Sequence, residues 1–438
     1  MSLQPIHPAK SQGSVPDGAS AAQRFLRAGT LQLGAPPPLS IYVHLPWCLK
    51  KCPYCDFNSH EWAPKTPAAS PPQGGAFGLG RPGAEPLNAL PEARYLDALR
   101  ADLEASLPLV WGRSVHSIFI GGGTPSLFSP DAIARLLSDL RQLLPLQPGC
   151  EVTMEANPGT FEKDRFRAFH QAGVTRLSIG VQSFNDDKLQ ALGRVHDSAQ
   201  ALAAVEEAAA TFGTFNLDLM YALPGQTQAE LAADLRTALQ FNPPHLSLYH
   251  LTLEPNTVFA SRPPVLPDDD TSAAMLDQVT DTLAAAGMDR YEVSAYARPG
   301  HRCTHNLNYW QFGDYLGLGA GAHGKLSFPH RVVRQVKWRE PAAYMREALA
   351  GHAVSNEEEV SRKALPFEFM LNLLRLRHGF EPALFTERTG LPPSAIAAGL
   401  QQAKAKGLLE QVPTEAGPLL RPTALGFDFL SDLQALFL

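Results

Sequence analysis

"IYVHLPWCLKKCPYCDFNSH", residues 41–60, begins as an apolar, β-branched run and then sets three of the chain's five cysteines within eight positions. Cys48, Cys52 and Cys55 have the spacing C-x3-C-x2-C, so one short loop can wrap three thiolates around a compact metal centre. A tetrahedral structural zinc needs a fourth ligand. His44, His60 and Cys303 are of the right type, but none extends the spacing into a pair of C-x2-C pairs. Three thiolates suit a [4Fe-4S] cube better, because such clusters are held by cysteine and a fourth iron is then open to another ligand. An odd cysteine count, with three clustered in a 438-residue chain, does not describe a disulfide framework and points to a reducing compartment.

The run around Tyr42 is the first of six similar ones: "LSIYVHL", "VHSIFIGG", "EVTMEAN", "RLSIGVQ", "FNLDLMYAL" and "HLSLYHLTL". Between them lie amphipathic segments such as "PDAIARLLSDLRQLL" and "QAELAADLRTALQF", with apolar residues recurring at three and four positions. Six alternating units predict an α/β fold, a partial (β/α)6 TIM-like barrel rather than a flat sheet. In either architecture the working face is the carboxyl ends of the strands. The unusual residues fall there: Cys48 after the first strand, "GGGTP" (121–125) after the second, then Glu155, Gln182, Asp218 and Thr252 on the remaining four.

The element C-x3-C-x-Y-C after a first strand resembles the signature of the radical S-adenosylmethionine (SAM) superfamily. That resemblance implies a cluster whose open iron is chelated by SAM, and an electron transfer that breaks a carbon–sulfur bond to give a 5′-deoxyadenosyl radical. "YVHLPWC", "GGGTPS", "EANP", "GVQSF", "LGRVH" and "DLMYALPGQT" then occur in an order similar to the coproporphyrinogen III dehydrogenase-like proteins, over roughly residues 39–330. By the same resemblance Tyr42 and Tyr54 line the cofactor site, and Gly122, Gly123, Thr124, Glu155, Gln182, Arg194, Asp218 and Thr252 contact SAM. Their chemistry fits: the carboxylates and amide can bond ribose hydroxyls and amino groups, and Arg194 can pair a carboxylate. The Gly-rich turn allows close backbone approach to a ligand.

Two branches of that family differ just after Cys55. The oxidase branch resembles "C-G-C" there, whereas this chain has "C-D-F", with Phe57 in place of the extra cysteine. "HNLNYW" (305–310) matches the H-N-x-x-Y-W element of the heme-chaperone branch. The expected function is therefore binding of a [4Fe-4S] cluster, SAM and heme, with transfer of heme to acceptor proteins, respiratory or membrane-associated ones among them. Coproporphyrinogen III oxidase activity, the alternative, is not expected. Imidazole is a standard axial ligand of heme iron, which makes His305 the candidate ligand, with Tyr309 and Trp310 as flat surfaces beside it. Cys303 and His323 compete for that role.

The predicted organisation is a disordered tail (1–38), a radical SAM core (39–300) with a Pro/Gly-rich insertion (63–91), a connecting segment (301–350) and a small, mostly helical, winged-helix-like domain (351–438). A net charge of -6 with scattered Lys and Arg excludes the footprint of a nucleic-acid binder. The second helix of the last domain offers only Lys404 and Lys406, which suits packing rather than DNA. No apolar run is long enough for a signal peptide or membrane span, and the few arginines around "AAQRFLRAGTLQL" argue against an organellar presequence, so a cytoplasmic location is expected.

Overall fold

Alternation within each strand sets the architecture. β4 (Val115–Gly122), β5 (Leu146–Ala156), β6 (Arg176–Gln182), β7 (Phe215–Tyr221) and β8 (His245–His250) carry buried apolar residues at alternate positions through their central parts, as with Ile118 and Ile120, Val152 and Met154, or Leu246 and Leu248. Many of the residues between them are polar or aromatic, among them Ser117, Phe119, Thr153, Glu155, Ser178, Asn216, Asp218, Ser247 and Tyr249. With a side-chain period of two, the apolar set meets the helices and the polar set turns to the inner face. In the computed structural model, which describes residues 25–62, 90–160, 164–415 and 417–438, these strands follow β1 (Leu39–Leu45) as a parallel series in the order β1-β4-β5-β6-β7-β8.

The intervening helices start at recognisable caps. Ser129 accepts from the N–H of Ala132, while Asp197 with Gln200 and Thr227 with Glu230 form reciprocal capping boxes. The expected partial (β/α)6 barrel is present. After the two-residue strands β2 (Trp47–Cys48) and β3 (His60–Glu61) in the cysteine loop, the remaining short strands β9 (Asp289–Arg290) and β10 (Ala295–Ala297) close the β8 side antiparallel.

The other side extends further than the sequence suggests. Four strands, β11 (Asp314–Leu318), β12 (His323–Phe328), β13 (Arg331–Lys337) and β14 (Val354–Glu359), continue the sheet beyond β1, with β11 parallel to β1 and the rest antiparallel. Cations hide this segment's strand character. Lys325 and Lys337 are each 2% exposed and are neutralised by Asp314 and Asp102. Arg113 also pairs Asp314 at 2.9 Å, and the Tyr344 hydroxyl donates to Asp102 at 2.9 Å.

The expected N-terminal tail divides. Residues 1–24 lie outside the described residues, whereas 25–38 are packed. Phe25 stacks on Phe328 at 4.8 Å, and Leu31 and Leu33 enter the core of the C-terminal domain, so enough apolar surface is buried to order a stretch read as disordered. Of the insertion expected at 63–91, residues 63–89 also lie outside the described set. The C-terminal domain has three helices (Leu365–Leu373, Ala383–Thr389, Ser394–Ala405), a hairpin of β15 (Leu409–Thr414) and β16 (Gly417–Pro422), and two short closing helices. Phe369, Phe380 and Phe385 form its aromatic centre. Among the described residues no helix is long and apolar enough to cross a membrane.

Candidate functional site

The cysteine loop leaves the carboxyl end of β1 and is closed at its base. β2 pairs with β3, the N–H of His60 donates to the Pro46 carbonyl at 2.8 Å, and that of Trp62 to the Cys48 carbonyl at 2.8 Å. Trp47, buried and edge-on to Tyr95 at 4.9 Å, anchors it. Donors face the sulfurs: Thr124 Oγ1 donates to Cys48 Sγ at 3.4 Å and Arg194 Nη1 to Cys52 Sγ at 3.6 Å, while Ser59 Oγ lies 3.7 Å from Cys55 Sγ. All three thiols are free and half-buried. Burial pushes Cys48 and Cys55 up from the ordinary thiol value; the mutual repulsion of the sulfurs adds to this, and the hydroxyl donors pull the other way.

These residues fit an iron–sulfur cube. A cube binds each thiolate to its own iron, so the sulfurs need only ring a common space. Cys303, fully buried and donating to Glu151 at 3.6 Å, is not in the loop's neighbourhood, and burial pushes it up to about 11. The Nε of Arg194 is buried without a partner, an orphan donor beside Cys52 that a bound anion would satisfy.

Glycines 121–123 serve the protein itself. A Cβ on Gly123 would meet the Trp47 carbonyl oxygen at 2.6 Å, and one on Gly122, whose φ is 117°, would meet the His44 ring at 2.7 Å. Their N–H groups are engaged as well: Gly123 donates to Leu45, Thr124 to Trp47, and Gly122 to Glu155 Oε2 at 3.1 Å. The triplet thus lets β4 approach the cysteine loop and fasten it.

Inside the barrel, sheet register aligns the polar face. Glu155 stands beside Ser178 across β5 and β6, and Asp218 lies between Gly180 and Ser247. Ser178 Oγ and Asn216 Nδ2 donate to Asp218, both at 2.9 Å, and Asn216 accepts from His245 Nδ1 at 2.6 Å and Ser247 Oγ at 3.0 Å. Burial first, and then the Asp218 charge, push Glu155 up to about 8. Burial also raises Asp218 against the pull of its donors. Tyr42 is raised by burial and by Glu155. Gln182 ends β6 in the left-handed region (φ 67°), Arg194 Nη2 donates to the Gly180 carbonyl at 2.8 Å, and Tyr54 packs on Phe259. Thr252 stays outside this group; it is exposed, and its hydroxyl donates to the His250 carbonyl at 3.3 Å.

Sequence reading missed Ser178, Asn216 and Tyr249. Tyr249 shares the face of β8 that carries Ser247; its phenol is raised first by burial and then by Asp218, although 42% of the residue is exposed. The signal was the alternation of polar residues within β6, β7 and β8.

His305 lies at the floor, on the helix Thr304–Trp310 packed against β4 and β1. It is 8% exposed, its Nδ1 is 3.2 Å from Ser117 Oγ, and burial drops it to about 3. Ser117 is near the start of β4; at about 3.3 Å per residue it is roughly 16 Å from Gly122 at the mouth. Tyr309 packs on Tyr315 at 5.0 Å and Arg375 covers Trp310 at 4.1 Å, so both rings of "HNLNYW" are engaged within the protein.

At the mouth, Asn58 ties the cysteine loop to the sheet extension, its Nδ2 donating to the carbonyls of Ala320 (3.0 Å) and Arg339 (2.8 Å). His44 Nε2 lies 3.0 Å from the Asn58 carbonyl, which can only accept, so Nε2 carries the proton and Nδ1 accepts from the Tyr42 hydroxyl at 3.0 Å. Burial, opposed by that carbonyl, lowers His44 to about 4.

The chain matches the model of the radical SAM superfamily over residues 42–238 and that of the HemN C-terminal domain over 360–429. Heme chaperone HemW of Escherichia coli (strain K12) is 46% identical over 404 residues, 92% of this chain and 98% of that protein. HemW of Haemophilus influenzae is 44% identical over 408 residues, again 92% and 98%. The solved structure of coproporphyrinogen III oxidase (HemN) from Escherichia coli, a radical SAM enzyme, shares the fold, with a TM-score of 0.72 at 23% identity, covering 92% of this chain and 90% of that one.

Proposed function

Because the chain belongs to the HemW family of radical SAM proteins, we propose that it holds a [4Fe-4S] cluster, binds SAM and heme, and passes heme to acceptor proteins. The observation that carries the cluster is the set of donors turned toward the sulfurs of one loop. Thr124 and Arg194 donate to the sulfurs of Cys48 and Cys52, and outer hydrogen bonds of this kind tune a cluster's potential. Cys48, Cys52 and Cys55 are its ligands.

SAM is assigned to the space between that loop and the lumen. Tyr54, Gly122, Gly123, Thr124 and Arg194 surround its upper part and Tyr42, Glu155, Gln182 and Asp218 its lower part, and Thr252, two residues past β8, would reach it only from the rim. Bound together, cluster and SAM supply one-electron radical chemistry, which the protein orients and shields from water. The raised Glu155 and Asp218 prefer a cationic ligand: positive charge set between them draws both carboxyls back toward the ionised form. The acceptors are heme proteins of the respiratory or membrane-associated kind, served from the cytoplasm.

The test uses anaerobically reconstituted protein. Cys48→Ala, Cys52→Ala and Cys55→Ala should each lose iron and sulfide, and Cys150→Ala and Cys303→Ala should keep them. Hemin should be taken up stably and pass to an apo-cytochrome. Conversion of coproporphyrinogen III to protoporphyrinogen would replace this reading with that of an oxidase.

A further inference from the structure

Resting on the heme-binding reading, we propose that heme docks at the barrel mouth, on the seam between the cysteine loop and the start of β12, with His323 as the iron ligand and Arg339 as the partner of a propionate. His305 is enclosed at the floor and engaged with Ser117, so a porphyrin reaches it only by opening the barrel. His323 is the opposite case. It is exposed, and among the described residues its ring makes no hydrogen bond, ion pair or ring contact. It begins β12 just after the Gly319–Gly321 turn, and β11, which precedes that turn, runs parallel to β1. The end of β11 and the cysteine loop therefore lie at the same end of the sheet.

Arg339 lies near His44, His60 and His323, so its charge sits in the same cluster as the three imidazoles. It is exposed, touches Asn58 Oδ1 at 3.5 Å, and has no carboxylate partner among the described residues. The Nε2 of His60 is buried without a partner. Exposed apolar rings border the seam on both sides: Phe57, 61% exposed, precedes Asn58, and Trp338, 38% exposed, precedes Arg339. An accessible imidazole, a guanidinium without a carboxylate partner and flanking aromatic surface are the three features that an apolar iron macrocycle with two carboxylates demands.

Hemin titration of the full chain with its cluster in place tests this by the Soret band and the low-temperature paramagnetic spectrum. His323→Ala should shift the band and weaken binding roughly tenfold or more, the scale on which metal sites lose affinity when supporting groups go. Added imidazole should restore the band, and His305→Ala, if it folds, should keep the wild-type spectrum. Arg339→Gln should weaken uptake without moving the band. An unchanged spectrum and affinity in His323→Ala overturn the ligand assignment while leaving the heme-binding reading intact. No hemin uptake by the unaltered protein sinks that reading itself. Unaltered affinity in Arg339→Gln removes the propionate contact.

Discussion

Glu155 shows how the lumen stores an electrostatic tension. Its carboxyl is raised from the ordinary range to about 8, first by burial and then by Asp218. A group that binds its proton more tightly when folded contributes stability that is complete below its unfolded pKa and is lost as pH rises through the folded one. Glu155→Gln, which has no proton to lose, should match the unaltered protein in urea unfolding near pH 5. Near pH 9, in the absence of SAM, it should exceed it by about 1–3 kcal/mol, allowing for screening by the open lumen. A constant difference between the two proteins across that range would place the strain elsewhere. At this scale the alternation let the sequence place Glu155 and Asp218 on their strands and the cysteines in the loop after the first; the structure sets Glu155 next to the end of β5 and Asp218 in the middle of β7. The sequence could not show that the N–H groups of Gly122 and Gly123 are already engaged, since that depends on where the loop's carbonyls lie.

Among the elements, the cysteine loop is held by its neighbours as well as by its own hydrogen bonds. β4 fastens it through Gly123 and Thr124, and Asn58 fastens it to the Gly319–Gly321 turn and Arg339. Gly123→Val puts side-chain atoms against the backbone of Pro46 and Trp47, so the loop must shift. We expect normal far-ultraviolet circular dichroism but a clearly lower iron and sulfide content after reconstitution; full content would show that the loop tolerates displacement. The legibility of elements follows from their chemistry. β1, β4 and β6 end where the sequence runs end, because apolar, β-branched alternation is undisturbed there. β12 and β13 escaped notice because Lys325, Arg331 and Lys337 occupy buried positions, and the acids that neutralise them are distant in sequence. A pattern reader takes such cations for a solvated face.

Across the whole molecule, the Lys337–Asp102 pair joins the extension to the barrel, as does Arg113 through Asp314. Asp102 sits on the helix Glu92–Val110, between β1 and β4 in the chain, and Lys337 ends β13. Removing one partner of such a pair leaves an uncompensated charge, a cost of about 3–5 kcal/mol. Asp102→Ala should therefore lower the urea midpoint substantially, and adding Lys337→Met should recover much of the loss; an additive second loss would argue that the pair is not coupled. The C-terminal domain is joined as firmly, through Leu31, Leu33, Phe312 and Val332 in one apolar cluster with its own phenylalanines.

The position of β1 between β4 and β11 also has a consequence in time. A ribosome delivers β4 well before β11, which emerges only after six more strands and their helices. At synthesis rates of about 5–20 residues per second, that interval is on the order of ten seconds or more. Throughout it the nascent barrel has one finished flank and one open edge, with unpaired backbone groups on a strand whose alternate residues are fully apolar. The packed segment 25–38 waits longer still, for β12 and then for the last domain. The period of greatest exposure to misassociation thus belongs to translation, and slower elongation lengthens it.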